Sequence, residues 1–374
     1  MTAAAAPLVV LAAGGTGGHV FPAEALATKL AERGLRLALV TDRRGTNYGG
    51  LLGKIETHRL RVSQLSGGLA RKLQGAVDLG LSLFEARRLL GRLAPGVVVG
   101  FGGYPSLPTM LAATRGGFPT VIHEQNAVLG RANRWVAGQV RAIATSFPQV
   151  RFMPAGAHAR LTGNPVRAAV IELRQTAYDT PRPHAPIRIL VTGGSQGAAI
   201  FSRVVPDAIA ALPDEHRPRV NITQQCRPED IERVRTTYAR LHVDAKLATF
   251  FADLPQRLAN THLAVCRSGA STVAELTCVG RPAILVPYAL AMDDHQSANA
   301  ALLADANAAW RMSENEFTPA ALAARIVELI GDASPLPRMA AAAKALGRPD
   351  AADKLADLVV EMASGNGGRR ENAA

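Results

Sequence analysis

The sequence predicts an α/β protein of two domains, each with a parallel sheet that helices cover on both faces. The chain has 374 residues, enough for two domains with a full core each. Short apolar segments alternate with helical patterns throughout, as is typical of buried parallel strands. In addition, both halves begin with the same unit of strand, glycine-rich turn and helix.

The repeated unit predicts two ligand-binding turns. The first half opens with an apolar strand at Leu8–Ala13, the turn Gly-Gly-Thr-Gly-Gly at 14–18 and a helical pattern at Pro22–Leu30. The second opens with a strand at Ile187–Thr192 and the turn Gly-Gly-Ser-Gln-Gly at 193–197. Such a unit points the first helical N–H groups, and the positive end of the helix dipole, at the turn, where an anion can bind. We therefore expect two Rossmann-like domains facing each other across a cleft, with ligands beyond the carboxyl ends of the strands.

Further apolar runs predict the other strands. They are Leu35–Val40, Val97–Gly100, Thr120–Ile122, Ala142–Thr145, Val220–Ile222, Leu247–Phe251, Leu263–Cys266 and Ala283–Val286. We place the domain boundary near 163–167, so that the domains comprise residues 1–167 and 168–348. An amphipathic pattern at Ala351–Met362 predicts a late helix, and residues 363–374 predict a flexible tail.

Positive charge is concentrated in the first half. Residues 1–167 hold 20 Lys and Arg against 7 Asp and Glu, a net charge of +13, whereas residues 168–374 hold 22 against 23. Such a basic half favours a polyanionic partner: nucleic acid, a phosphorylated substrate or an anionic membrane face. Arginines scattered over solvated faces would give the same count. Aromatic residues make up only 5% of the chain, which disfavours single-stranded nucleic acid bound by stacking.

Three features bear on the compartment. Cys226, Cys266 and Cys278 are too few and too scattered for a disulfide framework, which predicts a reducing, cytosolic environment. No apolar run reaches the roughly 18 residues that a membrane span needs. The apolar N-terminus has no Lys or Arg before Lys29 and leads into a glycine turn, so we interpret it as a first strand and not as a secretory signal.

Eight short segments occur in the order and spacing of one family. They are Gly-Gly-Thr-Gly-Gly-His-Val-Phe-Pro at 14–22, Gly-Gly-Tyr at 102–104, His-Glu-Gln-Asn at 123–126, Gly-Asn-Pro-Val-Arg at 163–167, Gly-Gly-Ser-Gln-Gly-Ala at 193–198, Cys-Arg-Ser-Gly-Ala at 266–270, Glu275, and Asp-His-Gln at 294–296 followed by Asn-Ala at 299–300. Over about residues 8–362 the chain resembles the MurG glycosyltransferases.

This resemblance implies a GT-B fold and an inverting, metal-independent hexosyltransferase without a cofactor. The expected reaction transfers GlcNAc from UDP-GlcNAc to the C4 hydroxyl of MurNAc in undecaprenyl-pyrophosphoryl-MurNAc-pentapeptide, converting lipid I to lipid II in peptidoglycan synthesis. The first domain would bind the acceptor and an anionic membrane surface, the second would bind UDP-GlcNAc, and the helix at 349–362 would cross back to the first domain. We expect a peripheral enzyme on the cytoplasmic face of the inner membrane, with cell-wall or divisome proteins as further partners and no nucleic acid.

Inversion at a sugar carbon needs a base for the acceptor hydroxyl and donors for the leaving diphosphate. His19 ends the first glycine turn, and imidazole titrates near neutral pH, so the resemblance makes it the candidate general base. The sequence has no Asp-x-Asp pair that would bridge a metal to the diphosphate. We expect no metal, and instead expect Ser195 and Gln196 of the second turn to contact the phosphates. Without a ligand, each feature would be an ordinary helix start or tight turn.

The resemblance also implies roles for other residues. Glu275 would accept both ribose hydroxyls, the main chain at Phe251 would contact uracil, and Gln296 would bind the GlcNAc hydroxyls. The further donor-binding residues would be Thr16, Gly17, Gly18, Asn126, Arg167, Ala270, Ser271, Thr272, Val273 and Ala274. The acceptor-binding residues would be Gly102, Gly103, Tyr104, Glu124 and Gln125.

The segment Leu69–Leu93 combines apolar and basic residues, as interfacial membrane binding requires. The residues expected to contact the membrane are Leu79, Leu83, Phe84, Arg87 and Arg88. Alternatively, the leucines of this helix pack on the sheet while its arginines are solvated.

One segment departs from the family pattern. Where the family commonly has His-Gln-Thr/Ser-Gly, this chain has Gln-Gln-Cys-Arg at 224–227, so we assign that loop no role. Three other functions remain as alternatives: a different glycosyltransferase on the same scaffold, a nucleotide-dependent oxidoreductase that uses Asp42, and a nucleic-acid-binding module. The oxidoreductase is disfavoured because Val20 stands where its third glycine would fall.

Overall fold

The structure, a computed structural model, describes residues 6–14, 17–42, 49–61, 69–182, 184–194 and 197–365, with only the backbone at 69–74 and 76. The chain divides into two compact units. Unit 1 comprises Met1–Val166 and Asp350–Ala374, and unit 2 comprises Arg167–Pro349.

Each unit is built on one sheet in which all paired strands are parallel. Among the described residues, the sheet of unit 1 contains β1 (Leu8–Ala12), β2 (Arg36–Asp42), β3 (Glu56–Leu60), β4 (Val97–Gly100), β5 (Thr120–Glu124), β6 (Ala142–Thr145) and β7 (Ala159–Leu161). Their order is β3-β2-β1-β4-β5-β6-β7. The sheet of unit 2 contains β8 (Ile187–Thr192), β9 (Val220–Gln225), β10 (Asp244–Ala248), β11 (Leu263–Cys266), β12 (Ala283–Leu285) and β13 (Ala309–Arg311), in the order β10-β9-β8-β11-β12-β13.

Helices connect the strands. They are α1 (Gly17–Glu32), α2 (Leu69–Leu93), α3 (Leu107–Arg115), α4 (Arg131–Val136), α5 (Ala168–Glu172), α6 (Ala199–Ala210), α7 (Ile231–Arg240), α8 (Leu254–Ala259), α9 (Ala270–Val279), α10 (His295–Asp305), α11 (Pro319–Gly331), α12 (Pro335–Leu346) and α13 (Ala351–Ser364). Short 3-10 helices lie at Tyr104–Ser106, Leu173–Gln175, Arg217–Arg219 and Met292–Asp294.

The core of unit 1 lies on both faces of its sheet because alternate strand residues point to opposite faces. Val9 and Leu11 of β1 pack with α1 and α13, whereas Leu8 and Val10 pack with α2, α3 and α4. Helix α13, which comes last in the described chain, therefore packs in the same core as β1 and α1, which come first.

Unit 2 has its own core around β8. Ile189 and Val191 pack with α6 and α11, and the rings of Phe201 and Phe317 meet edge to face with centroids 5.6 Å apart. Edge-to-face contacts of this kind add to the stabilisation that apolar burial provides.

The fold class predicted from the sequence is confirmed, and most interior strands lie where the apolar runs placed them. The prediction was wrong at β10, which covers Asp244–Ala248 and not Leu247–Phe251, and β3, β7 and β13 were missed. All four are edge strands. One face of an edge strand can stay solvated, so β3 (Glu-Thr-His-Arg-Leu) and β10 (Asp-Ala-Lys-Leu-Ala) carry charges within them.

Candidate active site

The glycine-rich turn of unit 2 joins β8 to α6 at the carboxyl edge of the sheet. A Cβ on Gly193 would lie 2.2 Å from the backbone nitrogen of Ala198, so only glycine allows this close approach of strand and helix. Gly194 and Gly197 adopt φ values of 81° and 67°, which also favour glycine. Ser195 and Gln196, the predicted phosphate contacts, lie outside the described residues.

Gln225, at the end of β9, holds this turn in place. Its Oε1 accepts hydrogen bonds from the Thr192 hydroxyl at 2.9 Å and the Gly193 N–H at 3.2 Å, while its Nε2 donates to the carbonyl of Thr249 at 3.2 Å. The Gly197 N–H donates to the carbonyl of Gly194. The N–H groups of Gly193 and Gly197 are thus already hydrogen-bonded, whereas the first N–H groups of α6 lie at a helix N-terminus, where an anion can bind.

Sequence reasoning missed Gln225 because it belongs to the segment that departs from the family pattern. Its neighbour Gln224 is fully buried, accepts a hydrogen bond from the Tyr238 hydroxyl at 2.6 Å and donates to the carbonyl of Phe201 at 3.3 Å. Two consecutive glutamines at the end of a strand were the available signal, because buried amides are found where they have partners.

A second helix N-terminus, that of α9, carries six of the fifteen predicted donor-binding residues. The Ser268 hydroxyl donates to the carbonyl of Gln296 at 2.8 Å, and Asn299 Nδ2 donates to the carbonyl of Ser268 at 3.0 Å. These bonds tie the start of α9 to the start of α10. Of the predicted residues on α9, Val273 is buried and its N–H donates to the carbonyl of Gly269 at 3.0 Å, which leaves it no described group for a ligand. The others are half-buried: Ala270, Ser271, Thr272, Ala274 and Glu275.

Glu275 and Arg167, two predicted donor-binding residues, are paired in unit 2. Arg167 donates from Nε at 3.1 Å and from NH2 at 2.8 Å, and both bonds end on Glu275 Oε1. The side chain of Glu275 is 15% exposed. Burial raises the pKa of Glu275, and the charge and hydrogen bonds of Arg167 oppose that rise. Among the described residues, no hydrogen bond occupies Oε2, which leaves it as the oxygen that a ribose hydroxyl can approach.

Gln296 and Phe251 also lie on unit 2. Gln296 Oε1 accepts the Tyr288 N–H at 3.0 Å, so its amide NH₂ is the group that can donate to a sugar hydroxyl. Phe251 is buried, and the guanidinium carbon of Arg257 lies over its ring at 4.3 Å from the ring centroid. A buried ring agrees with a role for the main chain at this position and not for the phenyl group.

Arg267 is a further residue that sequence reasoning missed. It pairs with Glu314 at 2.6 Å and donates to the carbonyls of Val286 and Pro287, and it thereby holds the loop that follows β12. Its sequence signals were its place directly after the apolar strand β11 and inside the family segment at 266–270, but no role was assigned to it there.

In unit 1, the predicted base His19 lies near the start of α1. Its Nδ1 is 2.8 Å from the carbonyl oxygen of Phe101. A Cβ on Gly102 or Gly103 would lie 3.5 or 3.4 Å from the His19 ring, and both glycines have positive φ, so these predicted acceptor residues form the surface on which the ring rests. Tyr104 follows them at the start of a 3-10 helix.

Two predicted acceptor residues, Glu124 and Gln125, are buried and bonded internally. Glu124 accepts the backbone N–H of Asn126 at 3.0 Å and that of Gly130 at 2.8 Å, and also Asn133 Nδ2 at 2.8 Å. Its side chain is 1% exposed, so it shapes the loop after β5 and does not face solvent. Asn126, a predicted donor-binding residue, is half-buried on this loop.

Of the five residues predicted on the membrane face of α2, Phe84, Arg87 and Arg88 are exposed, whereas Leu79 and Leu83 are half-buried. Leu79 and Leu83 pack against the core of unit 1, contrary to the prediction, because they lie on the face of α2 that points to the sheet. The exposed apolar residues are Val77 (63%), Leu81 (51%) and Phe84 (68%), spaced as one helix face, with Arg87 and Arg88 exposed beyond them.

Thr16 lies outside the described residues, and Gly17 and Gly18 form the first residues of α1. In the part of the chain that the structure describes, no three His, Cys, Asp or Glu side chains are grouped as a metal site would require. Across the same ranges, no helix combines the length and the apolar character needed to cross a bilayer.

Two family models match the two units. Residues 9–145 match the glycosyltransferase family 28 N-terminal domain, and residues 188–355 match the glycosyltransferase family 28 C-terminal domain. Together with two parallel α/β units that each carry a glycine-rich strand–helix turn, these matches define the class as a two-domain glycosyltransferase.

Individual relatives are similar along nearly the whole chain. A protein from Paramagnetospirillum magneticum is 55% identical over 359 residues, covering 95% of this chain and 97% of its own length. One from Rhodospirillum centenum is 56% identical over 362 residues, covering 96% of each. Both are named UDP-N-acetylglucosamine--N-acetylmuramyl-(pentapeptide) pyrophosphoryl-undecaprenol N-acetylglucosamine transferase.

Solved structures agree with these relatives. MurG of Acinetobacter baumannii is 29% identical with a TM-score of 0.75, over 95% of this chain and 99% of that one. The glycotransferase of kitacinnamycin shares the fold alone, at 18% identity and a TM-score of 0.64, over 95% and 99% of the two chains. The chain belongs to glycosyltransferase family 28 and, within it, to the MurG transferases.

Proposed function

We propose that this chain transfers GlcNAc from UDP-GlcNAc to the C4 hydroxyl of MurNAc in lipid I, which yields lipid II for peptidoglycan. The observation that carries the proposal is the 55% identity, over 95% of the chain, to a relative named for this reaction. The segments that differ most between glycosyltransferases, those of the acceptor half, lie inside the matched region.

Unit 2 would bind the donor. The first N–H groups of α6 and α9, at the positive ends of the two helix dipoles, suit a diphosphate. Glu275, held by Arg167 through Oε1, would accept ribose hydroxyls with Oε2. The amide NH₂ of Gln296 would donate to hydroxyls of GlcNAc. The diphosphate would be stabilised by these donors as negative charge develops on the leaving group.

Unit 1 would supply the base. The Phe101 carbonyl can only accept, so the hydrogen bond to His19 requires a proton on Nδ1, and the neutral ring then carries its lone pair on Nε2. The acceptor O4 would attack the anomeric carbon of GlcNAc while its proton passes to Nε2. The bond between that carbon and the diphosphate oxygen breaks, and UDP leaves with the electron pair. A single displacement of this kind inverts the anomeric centre.

We assign membrane docking to the exposed face of α2 formed by Val77, Leu81 and Phe84, together with Arg87 and Arg88. The apolar side chains would enter the headgroup region, and each arginine would contribute about 1 kcal/mol near anionic lipid. This surface supports a peripheral enzyme at the cytoplasmic face of the inner membrane, where the lipid-linked acceptor is presented.

The reaction is tested with radiolabelled UDP-GlcNAc and a lipid-linked MurNAc-pentapeptide acceptor. We expect transfer to continue in EDTA and to fall by about 100-fold or more in His19→Ala and Glu275→Ala. Glu328→Ala, an exposed residue of α11, is the matched control and should retain activity. No transfer by the unaltered chain would refute the proposed function.

Membrane docking is tested separately by sedimentation with vesicles that contain anionic phospholipid. Leu81→Ser combined with Phe84→Ser should lower vesicle binding by about tenfold or more. Phe250→Ser, which replaces a 73% exposed phenylalanine of unit 2, is the control. Equal binding of the two variants would rule out this face of α2.

A further inference from the structure

A continuous line of hydrogen bonds runs through unit 1 behind the predicted base. His123 Nε2 is 3.1 Å from the carbonyl oxygen of Gly163, and His123 Nδ1 is 3.1 Å from Gln125 Nε2. The same Gln125 nitrogen donates to the carbonyl oxygen of Phe101 at 3.0 Å, and that oxygen also accepts the bond from His19 Nδ1 at 2.8 Å. His123 and Gln125 are both buried, so neither can touch a substrate with its side chain.

The Gly163 carbonyl, at one end of this line of hydrogen bonds, determines which nitrogen of His123 carries the proton. The Gly163 carbonyl can only accept, so His123 Nε2 carries a proton, and a neutral His123 must accept at Nδ1. Burial, the largest cause, lowers the pKa of His123 to about 4, so the ring is neutral at physiological pH. The Ser146 hydroxyl, 3.4 Å from His123 Nε2, can accept from the same proton and does not change this assignment.

A neutral His123 in turn fixes the orientation of Gln125. The groups within hydrogen-bond distance of Gln125 Nε2 are all acceptors: the Phe101 carbonyl at 3.0 Å, His123 Nδ1 at 3.1 Å and the His123 carbonyl at 3.2 Å. They require the NH₂ end of the amide on this side and not its oxygen. The hydrogen bond from Gln125 Nε2 holds the Phe101 carbonyl in the position where its oxygen also accepts a hydrogen bond from His19 Nδ1–H. If the amide were reversed, its oxygen would face the oxygen of Phe101 and repel it.

We propose that Gln125 and His123 are positioning residues that keep His19 in the Nδ1–H tautomer and so leave Nε2 as its proton-accepting atom. The hydrogen bond of one imidazole nitrogen decides which nitrogen is free to take a proton, and the wrong tautomer leaves no base at Nε2. This inference rests on the proposed role of His19 as general base. It gives Gln125 a function that does not require contact with the acceptor.

The test records the tautomer directly. The full-length chain is labelled with ¹⁵N-histidine, and the His19 signals are identified by their loss in His19→Gln. At about pH 8.5, where imidazole is neutral, we expect His19 to have a protonated Nδ1 and an unprotonated Nε2. An Nε2–H tautomer in the unaltered enzyme overturns the proposal without any variant.

Gln125→Met removes the amide and keeps the length of the side chain. We expect His19 to shift toward the Nε2–H tautomer and kcat to fall about 10- to 100-fold, while KM for UDP-GlcNAc stays within about twofold. Thr109→Val, which removes a buried hydroxyl of unit 1 away from this line, controls for a general loss of packing. A folded Gln125→Met with unchanged tautomer and unchanged kcat refutes the proposal.

The same data separate this inference from the proposed function. If His19 has the expected tautomer and Gln125→Met alters it, but His19→Gln retains full transfer, the base role of His19 fails while the positioning by Gln125 stands. If His19→Gln abolishes transfer and Gln125→Met alters neither tautomer nor kcat, the positioning inference fails alone.

Discussion

At the residue scale, the pair formed by Glu275 and Arg167 explains how a half-buried carboxylate can serve a neutral ligand. Burial alone would favour its protonated form, which is a weaker hydrogen-bond acceptor than the carboxylate and carries an O–H donor on one oxygen. Arg167 opposes that effect, and because both of its hydrogen bonds to Glu275 end on Oε1, the other carboxylate oxygen is held in a defined position. In the proposed donor site, Arg167 would therefore act through Glu275.

Replacing Glu275 tests this arrangement. Glu275→Gln should weaken UDP binding by about 10- to 100-fold, because a hydrogen bond to a charged group contributes about 1.5–3 kcal/mol. Arg167→Lys keeps the charge but loses the two-nitrogen contact, so a smaller loss is expected. Isothermal titration with UDP measures both. Glu328→Gln, whose exposed pair with Arg325 lies on α11, should bind UDP normally. Undiminished UDP binding by Glu275→Gln would contradict the assignment.

His123 makes unit 1 sensitive to acid. Its pKa is about 4 in the folded protein and about 6.5 in an unfolded chain, so between these values the unfolded chain binds more protons. The free energy of unfolding should thus be unaffected by this group above about pH 6.5 and decrease by up to about 3 kcal/mol as the pH falls to about 4.

Urea unfolding at a series of pH values measures this effect. His123→Asn does not titrate and should lose less stability between about pH 6.5 and 4 than the unaltered protein does. His158→Asn, which replaces an exposed histidine of the same unit, is the control. Parallel pH profiles for the unaltered protein and His123→Asn would show that His123 does not cause the acid sensitivity.

At the element scale, the turn between β8 and α6 depends on a close approach of backbone to backbone. Gln225 anchors it from the neighbouring strand β9, which is why residues 32 positions apart in the chain act on one turn. The sheet, and not the turn alone, therefore fixes the position of the first N–H groups of α6.

Gly193→Ala should disrupt this element. The added Cβ would lie 2.2 Å from the Ala198 nitrogen, so the turn must move and UDP binding should weaken by about tenfold or more. Gly331→Ala, near the end of α11, meets open space and should leave UDP binding unchanged and stability equal or slightly higher. Titration and thermal unfolding compare the two variants. Normal UDP affinity in Gly193→Ala would show that the turn tolerates a side chain.

At the scale of the whole molecule, unit 1 is assembled from both ends of the chain. Leu355, Leu358 and Val359 of α13 are fully buried in its core beside α1. Outside that core, Arg33 pairs with Asp357 at 2.7 Å and Arg160 pairs with Glu361 at 2.5 Å. The apolar contacts dominate, because exposed ion pairs contribute at most about 1 kcal/mol.

Because apolar burial outweighs the exposed ion pairs, substitutions at the adjacent positions Asp357 and Leu358 should differ greatly in their effect on the free energy of unfolding. Leu358→Ala should lower the free energy of unfolding by about 2–5 kcal/mol, since it leaves a cavity in the core of unit 1. Asp357→Ala removes only the exposed pair with Arg33 and should cost less than about 1 kcal/mol. Urea denaturation measures both values. Similar, small losses for the two variants would mean that α13 is not part of the core.

The sequence by itself determined the α/β class, the interior strands and the family, because buried parallel strands and glycine turns leave local patterns of apolar and glycine residues. Only the tertiary structure decided the edge strands, the exposed face of α2, the anchoring of the β8–α6 turn by Gln225 and the internal bonds of Glu124. Each of these depends on contacts between residues far apart in the chain, such as the packing of Leu79 and Leu83 on the sheet. Periodicity along the chain does not contain that information.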